Sequence, residues 1–293
     1  MYVHILNSLR SKSVPNFVFK NRKSRIVFGR VEHLHGNEFQ NKGTKVSIEA
    51  FLLLIFLILS VNEQVRPNIK VVIPAYNEER SIAHVIADIP KDWVKEIIVV
   101  NNGSTDNTAE VAENAGATVL HQPKAGYGNA CLMGIEYLKN PSESPDILVF
   151  MDGDYSDYPQ QLPEVAGPIV NREADFVIGS RALGNREGGS MTFPQIFGNW
   201  LATSMMKWFY KVNYTDLGPF RAIAFPQLVA LDMKDKTYGW TVEMQLKAAK
   251  QKLRITEVPV NYKKRIGVSK VSGTVKGTVM AGYKIIFTIF KYL

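Results

Sequence analysis

The sequence predicts an α/β fold, a mostly parallel sheet flanked by helices, on two observations. Short, wholly apolar runs recur from Asn68 onward, and stretches with helical spacing separate them. Lys70-Val-Val-Ile73, Glu96-Ile-Ile-Val-Val100, Thr118-Val-Leu120, Ile147-Leu-Val-Phe-Met151 and Phe176-Val-Ile178 are read as strands covered on both faces, because a half-exposed strand would alternate. After the first run, Ile82, Val85, Ile86 and Ile89 fall on one helical stripe. Asp106 is placed to cap a second helix that ends before Gly116. Strand, helix and strand in repetition require parallel pairing with right-handed crossovers, and ligands of such sheets sit beyond the carboxyl ends of the strands.

Composition limits the function classes. The 293 residues are 46% hydrophobic and 21% charged, which suits a folded globular chain. A single cysteine, Cys131, excludes an intramolecular disulfide and reads as a small apolar helix residue. The net charge of +8 suggests nucleic acid only until it is located. The first 45 residues hold nine Lys/Arg against two acids, a net +7, so the remaining 248 carry +1 and no nucleic-acid partner is expected. The expected organisation is a basic, poorly ordered extension over 1–66 and a single domain over 67–293. The extension contains a twelve-residue apolar run, 50–61. As a helix that run reaches only about 18 Å, short of the ~30 Å hydrocarbon core. It and the basic tail leave contact with an anionic membrane surface open.

Chemistry concentrates where the strands end. Pro74-Ala-Tyr-Asn-Glu-Glu79 offers a ring and carboxylates to frame a nucleoside, although Asn77 and Glu78 also suit a helix start. In Asn101-Asn-Gly-Ser-Thr-Asp-Asn-Thr108, turn chemistry accounts for Gly103 and Asp106 and leaves Asn102 as the base-contact candidate. Asp152-Gly-Asp154 puts two carboxylates at the exit of an apolar strand, where they repel unless a cation compensates them. Hard oxygen ligands favour Mg²⁺ or Mn²⁺ shared with phosphates. Lys124-Ala-Gly-Tyr-Gly-Asn129 precedes a helix and is a weak phosphate signal. Lys263-Lys-Arg-Ile-Gly-Val-Ser-Lys270 suits a mobile basic loop closing over a diphosphate.

Val72-Ile-Pro-Ala-Tyr-Asn-Glu-Glu79, Asn102-Gly-Ser-Thr-Asp106, Asp152-Gly-Asp154 and Gly179-Ser-Arg181 together resemble the family 2 glycosyltransferases of the GT-A (Rossmann-like) fold. Asp216-Leu-Gly-Pro-Phe-Arg221 and Arg265-Ile-Gly-Val-Ser-Lys270 narrow the likeness to the branch of dolichyl-phosphate mannose and glucose synthases. It covers about residues 68–292. The resemblance implies an inverting transfer of a hexose from a UDP- or GDP-sugar, with Pro74, Tyr76 and Glu78 around the nucleoside. Asp152 and Asp154 would hold the metal, with Ser156 or Asp157 as candidate helpers, and Arg265 and Lys270 would add charge at the diphosphate. It also implies a polyprenyl or dolichyl phosphate acceptor bound near Arg181, and work at the cytoplasmic face of the membrane. Two departures bear on this. Asn102 stands where many members have Asp, and Gln195 and Ile196 stand where lipid-phosphate mannose synthases tend to have Arg and Ser.

If the acceptor is instead a glycan or small-molecule hydroxyl in cell-envelope polysaccharide synthesis, a base is needed, and Glu243 is the candidate, with Asp216 second. The end of the chain, Val279 to Leu293, mixes aromatics, aliphatics and lysines and suits either a membrane surface or ordinary packing. Readings of another class are a nucleotidyltransferase, whose Gly-rich basic loop after the first strand is missing from Pro74–Glu79, and a non-catalytic nucleotide-sugar-binding module.

Overall fold

The computed structural model describes residues 67–142, 144–267, 269 and 274–293, together with the backbone of five short strands nearer the N-terminus. The chain divides into two compact units, Met1–Val65 and Arg66–Leu293. In the first, β1 (Val18–Asn21) pairs antiparallel with β2 (Ser24–Val27). β3 (His33–His35), β4 (Glu38–Asn41) and β5 (Thr44–Ser47) form a three-stranded antiparallel ribbon. The apolar run 50–61 lies outside the described residues.

The second unit is built on seven strands: β6 (Ile69–Ala75), β7 (Glu96–Asn101), β8 (Thr118–His121), β9 (Ile147–Phe150), β10 (Phe176–Ser180), β11 (Arg221–Ala224) and β12 (Ile255–Pro259). They lie in the order β12-β10-β11-β9-β6-β7-β8. All neighbours pair in parallel except β11, which runs antiparallel to both β9 and β10. That reversed strand did not show in the sequence, because four residues begun by a buried arginine carry no strand signature of their own. β8 is an edge strand. Its residues are half-buried or exposed, which corrects the expectation that every strand is covered on both faces.

Among the described residues eight α-helices cover the sheet: α1 (Ile82–Asp88), α2 (Thr108–Asn114), α3 (Tyr127–Leu138), α4 (Leu162–Val170), α5 (Phe193–Tyr210), α6 (Phe225–Leu231), α7 (Trp240–Lys250) and α8 (Val275–Lys291). Strand residues alternate between two cores. Val71, Ile73, Val99 and Val149 pack with Val85, Ala112 and Leu162 from α1, α2 and α4. Val72, Ile98, Leu148 and Phe150 pack on the other face with Ile135, Met206, Leu228 and Trp240 from α3, α5, α6 and α7, and with Ile289 of α8. Continuous apolar runs are what such a three-layer stack demands. Among the described residues no helix is long and apolar enough to cross a membrane.

Asp106 is not the cap residue of α2; that position is Asn107. Its carboxylate accepts from the Thr108 amide at 3.0 Å and from the Glu79 amide at 3.2 Å, so it ties the loop after β7 to the loop after β6.

Candidate active site

The carboxyl ends of β6, β7 and β9 open into a cleft of about 600 Å³. Pro74, Tyr76, Glu78, Asp152, Asp154, Arg181 and Arg265 all line it. Tyr76 is 44% exposed, so one face of its ring is free to stack on a planar ligand. The loop carrying these residues is held by its neighbour: the Asn77 amide donates to Ser104 Oγ at 2.9 Å, and the Glu78 amide to Thr108 Oγ1 at 2.8 Å.

Asn102 also lines the cleft, but its side chain is already engaged. Nδ2 donates to the carbonyls of Gln122 and Lys124 at 3.1 and 2.8 Å, and Oδ1 accepts from the Gly126 amide at 2.8 Å. An amide that donates and accepts at once is the group this position needs, so the expected base contact gives way to a brace for residues 122–126. The glycines there answer to packing rather than to phosphate. A Cβ on Gly126 would lie 2.3 Å from the Lys236 carbonyl oxygen, and one on Gly128 would lie 2.1 Å from that of Asp235.

The β9 exit is the acidic centre. Asp154 is buried; its Oδ1 accepts from the Ser156 amide at 2.9 Å and from the Ser156 hydroxyl, and its Oδ2 is paired with the Arg265 guanidinium. Asp152 Oδ1, Asp154 Oδ2 and both carboxylate oxygens of Asp157 are buried without a hydrogen-bond partner among the described residues. Burial raises the Asp152 carboxyl against the pull of Arg265 and Arg181. Burial, then the Asp152 charge, pushes Asp157 up to about 7. Orphaned buried carboxylate oxygens are costly unless a cation completes them, so the donor set fits a hard divalent ion. Among the described residues no three His, Cys, Asp or Glu side chains converge into a closed cage. An open two-carboxylate site leaves the other positions to phosphate oxygens and water.

Arg181 lies in a fork against Asp216, and its guanidinium stacks over the Tyr262 ring at 5.0 Å. Burial alone would raise the Asp216 carboxyl, but Arg181 outweighs it and holds the group below the usual carboxylate range. Asp216 is therefore unsuited to accept a proton. Glu243 is not brought to the cleft at all. It is wholly buried, accepts from the amides of Lys234 and Asp235 and from the Tyr292 hydroxyl, and pairs with Lys247 at 2.7 Å. Those partners make it a brace between α7, the loop before it and the chain end, which corrects the expectation of a base. Lys270 lies outside the described residues.

One participant escaped the sequence reading, and two others were named there without being placed in the cleft. Tyr262 lines the cleft beneath Arg181. The first half of α5 and the first half of α8 also line it, through Pro194, Gln195 and Gly198 and through Thr278, Ala281 and Ile285. The sequence had pointed there through Gln195 and Ile196 and through the mixed apolar and basic stretch after Val279.

Known proteins agree with this layout. The model of the family described as glycosyl transferase family 2 matches residues 70–228. An uncharacterised glycosyltransferase of Mycobacterium tuberculosis is 33% identical over 221 residues, 73% of this chain and 94% of its own length. An undecaprenyl-phosphate mannosyltransferase of Micrococcus luteus is 33% identical over 228 residues, 70% of this chain and 88% of its own. Among solved structures, glucosyl-3-phosphoglycerate synthase from Mycobacterium tuberculosis, in complex with Mn²⁺, UDP and phosphoglyceric acid, superposes with a TM-score of 0.64 at 22% identity. It covers 78% of this chain and 79% of its own, which makes the fold GT-A. With strand-end loops shaped for a nucleotide sugar on that fold, and relatives matched over most of their length, the protein is a glycosyltransferase and belongs to glycosyl transferase family 2.

Proposed function

We propose that the protein moves a hexose from a UDP- or GDP-sugar, with inversion, onto the phosphate of a polyprenyl-type lipid, with Mg²⁺ or Mn²⁺ held by Asp152 and Asp154. The observation that carries this reading is that α5 and α8, which both line the cleft, also turn large apolar side chains to the surface. Phe193 is 79% exposed, and Phe193, Phe197 and Trp200 form a file of rings with neighbouring centroids 6.3 and 5.7 Å apart. Val275, Val279 and Tyr283 of α8 are exposed as well, Phe209 meets Phe290 at 5.5 Å at the other end of the helix pair, and Lys207, Lys211, Lys276 and Lys291 are exposed on or beside the same two helices. An apolar crest ringed by lysines suits the interface of an anionic bilayer, and an acceptor lying in that bilayer would present its phosphate between the two helices. The work would then be done by a peripheral protein at the cytoplasmic face.

The chemistry follows from the groups in the cleft. Tyr76 and Glu78 hold the nucleoside, and Arg181, kept charged and oriented by Asp216, draws the acceptor phosphate. An acceptor oxygen attacks C1 from the face opposite the diphosphate; the C1–O bond to the acceptor forms as that to the diphosphate breaks, and the bonding pair leaves on the β-phosphate oxygen. A bound divalent ion supplies Lewis-acid stabilisation of that oxygen. Arg265, and Lys270 beyond it, add charge there. A phosphate acceptor is already ionised and needs no base, which agrees with the engagement of Glu243 and Asp216 elsewhere.

Thermal unfolding with UDP-glucose, UDP-galactose, UDP-N-acetylglucosamine and GDP-mannose, with and without Mn²⁺, tests the donor half. A donor at a hundred times its Kd stabilises by ~2.7 kcal/mol. The gain should require Mn²⁺ and vanish in Asp154→Ala. Labelled sugar should then enter the organic phase with polyprenyl phosphate in anionic vesicles. Incorporation only into water-soluble acceptors would sink the lipid half. We also propose that 67–293 is the catalytic unit, so a folded 67–293 chain should bind donor as the full chain does.

A further inference from the structure

We propose that Arg265 is a resident occupant of the cation site: its guanidinium and an arriving divalent ion compete for the Asp154 carboxylate, and capture of the ion frees Arg265 for the donor diphosphate. This rests on the metal reading of Asp152 and Asp154 above and adds a hand-over to it.

Geometry carries the inference. Oδ1 of Asp154 is taken by Ser156, so Oδ2 is the oxygen left for a cation; it is buried, accepts no hydrogen bond, and has the Arg265 guanidinium against it as an ion pair. The pair is sheltered, with the Asp154 side chain 3% and the Arg265 side chain 30% exposed. The arginine is brought there by its backbone. Segment 262–266 runs along the acidic loop, with Tyr262 bridged antiparallel to Asp157, the Lys263 amide on the Ser156 carbonyl at 2.9 Å, and the Ile266 amide on the Asp154 carbonyl at 3.0 Å. A second clasp adds to these, because Lys263 Nζ sits 3.2 Å from the centre of the Tyr155 ring. Gly267 follows at φ 87°, a backbone conformation that favours glycine.

Charge explains why the two cations exclude one another. Asp152, Asp154 and Asp157 share one buried loop, and the guanidinium offsets part of their repulsion. A dication on Oδ2 would face that guanidinium at contact distance, so one must leave. The displaced arginine, on a segment still clasped beside the ion, meets the negative oxygens that the ion itself gathers. Metal capture and diphosphate gripping thereby become one event.

Mn²⁺ binding to the full chain, read from the electron paramagnetic resonance of free Mn²⁺ without nucleotide, tests this. Arg265→Met should bind Mn²⁺ about three- to tenfold more tightly than wild type, the range of a partly sheltered ion pair. With saturating UDP that advantage should disappear or reverse, since the wild-type arginine then rests on the diphosphate. Arg265→Lys keeps the charge and should stay within about twofold of wild type. Arg265→Met binding Mn²⁺ no tighter than wild type without nucleotide overturns the proposal, and so does Arg265→Lys binding it as tightly as Arg265→Met. If wild type binds UDP but no Mn²⁺ under any condition, the metal reading falls and the hand-over with it.

Discussion

Arg181 grips Asp216 as a fork grips a carboxylate, Nε to Oδ2 at 2.8 Å and Nη2 to Oδ1 at 2.7 Å, while its own backbone amide returns to Oδ2 at 2.8 Å. The pair is sheltered, with side-chain exposures of 11% and 1%. Replacing Asp216 by Asn leaves a buried guanidinium uncompensated and should cost about 3–5 kcal/mol in urea unfolding at pH 7. The sign with pH follows from the lowered carboxyl. Its stabilisation is present above the ordinary carboxylate range and is lost as pH falls through the folded value. The gap between wild type and variant should therefore close progressively below about pH 4.

Glu243 gives the complementary expectation. With its carboxylate on two amides, a hydroxyl and an ammonium, Glu243→Gln should lower stability by about 2 kcal/mol in urea. At a temperature where the variant is folded, kcat should stay near wild type. A fall of a hundredfold or more in kcat, with stability unchanged, would restore it as the base.

Asn102→Asp tests the brace. The new carboxylate would face the carbonyls of Gln122 and Lys124, where Nδ2 now donates. A cost of about 1–3 kcal/mol is expected, with a raised donor KM from the loosened 122–126 wall. Tighter donor binding in the variant would mean that the base contact, not the brace, governs this position.

Asp157→Asn should stabilise the EDTA-treated protein. Its raised carboxyl binds a proton more readily folded than unfolded, so wild-type stability should fall as pH rises from about 4 through about 7. The Asn variant should lack that slope and be more stable at pH 8 by on the order of 2 kcal/mol. Added Mn²⁺ should stabilise it less than wild type.

The parallel part of the sheet and the two carboxylates of the acidic centre were legible because both are local signals: apolar runs announce buried strands, and Asp152-Gly-Asp154 stands out at the end of one. What was missed depends on distance in the chain. Asn102 looks like a ligand contact until residues 122–126 fold back onto it, and Glu243 looks like a base until Tyr292 arrives from the other end of the sequence. The antiparallel β11 is hidden because Arg221 begins it, and only the surrounding carbonyls of Leu217, Gly218 and Thr241 make a buried arginine acceptable there.

Tyr262 has a neighbour on each side. Its carbonyl accepts from the Glu187 amide at 2.8 Å and its amide donates to the Asn185 carbonyl at 2.9 Å, while the next residue is fastened to Ser156. One strip of backbone is thus shared between the loop beside Asp154 and the loop that follows Arg181. Two ligands pulling on a common strip cannot be energetically independent. By linkage, whatever factor the donor contributes to acceptor affinity, the acceptor must return to the donor. Measured Kd values for the two, each alone and in the presence of the other, should close a thermodynamic square whose diagonal runs through Tyr262.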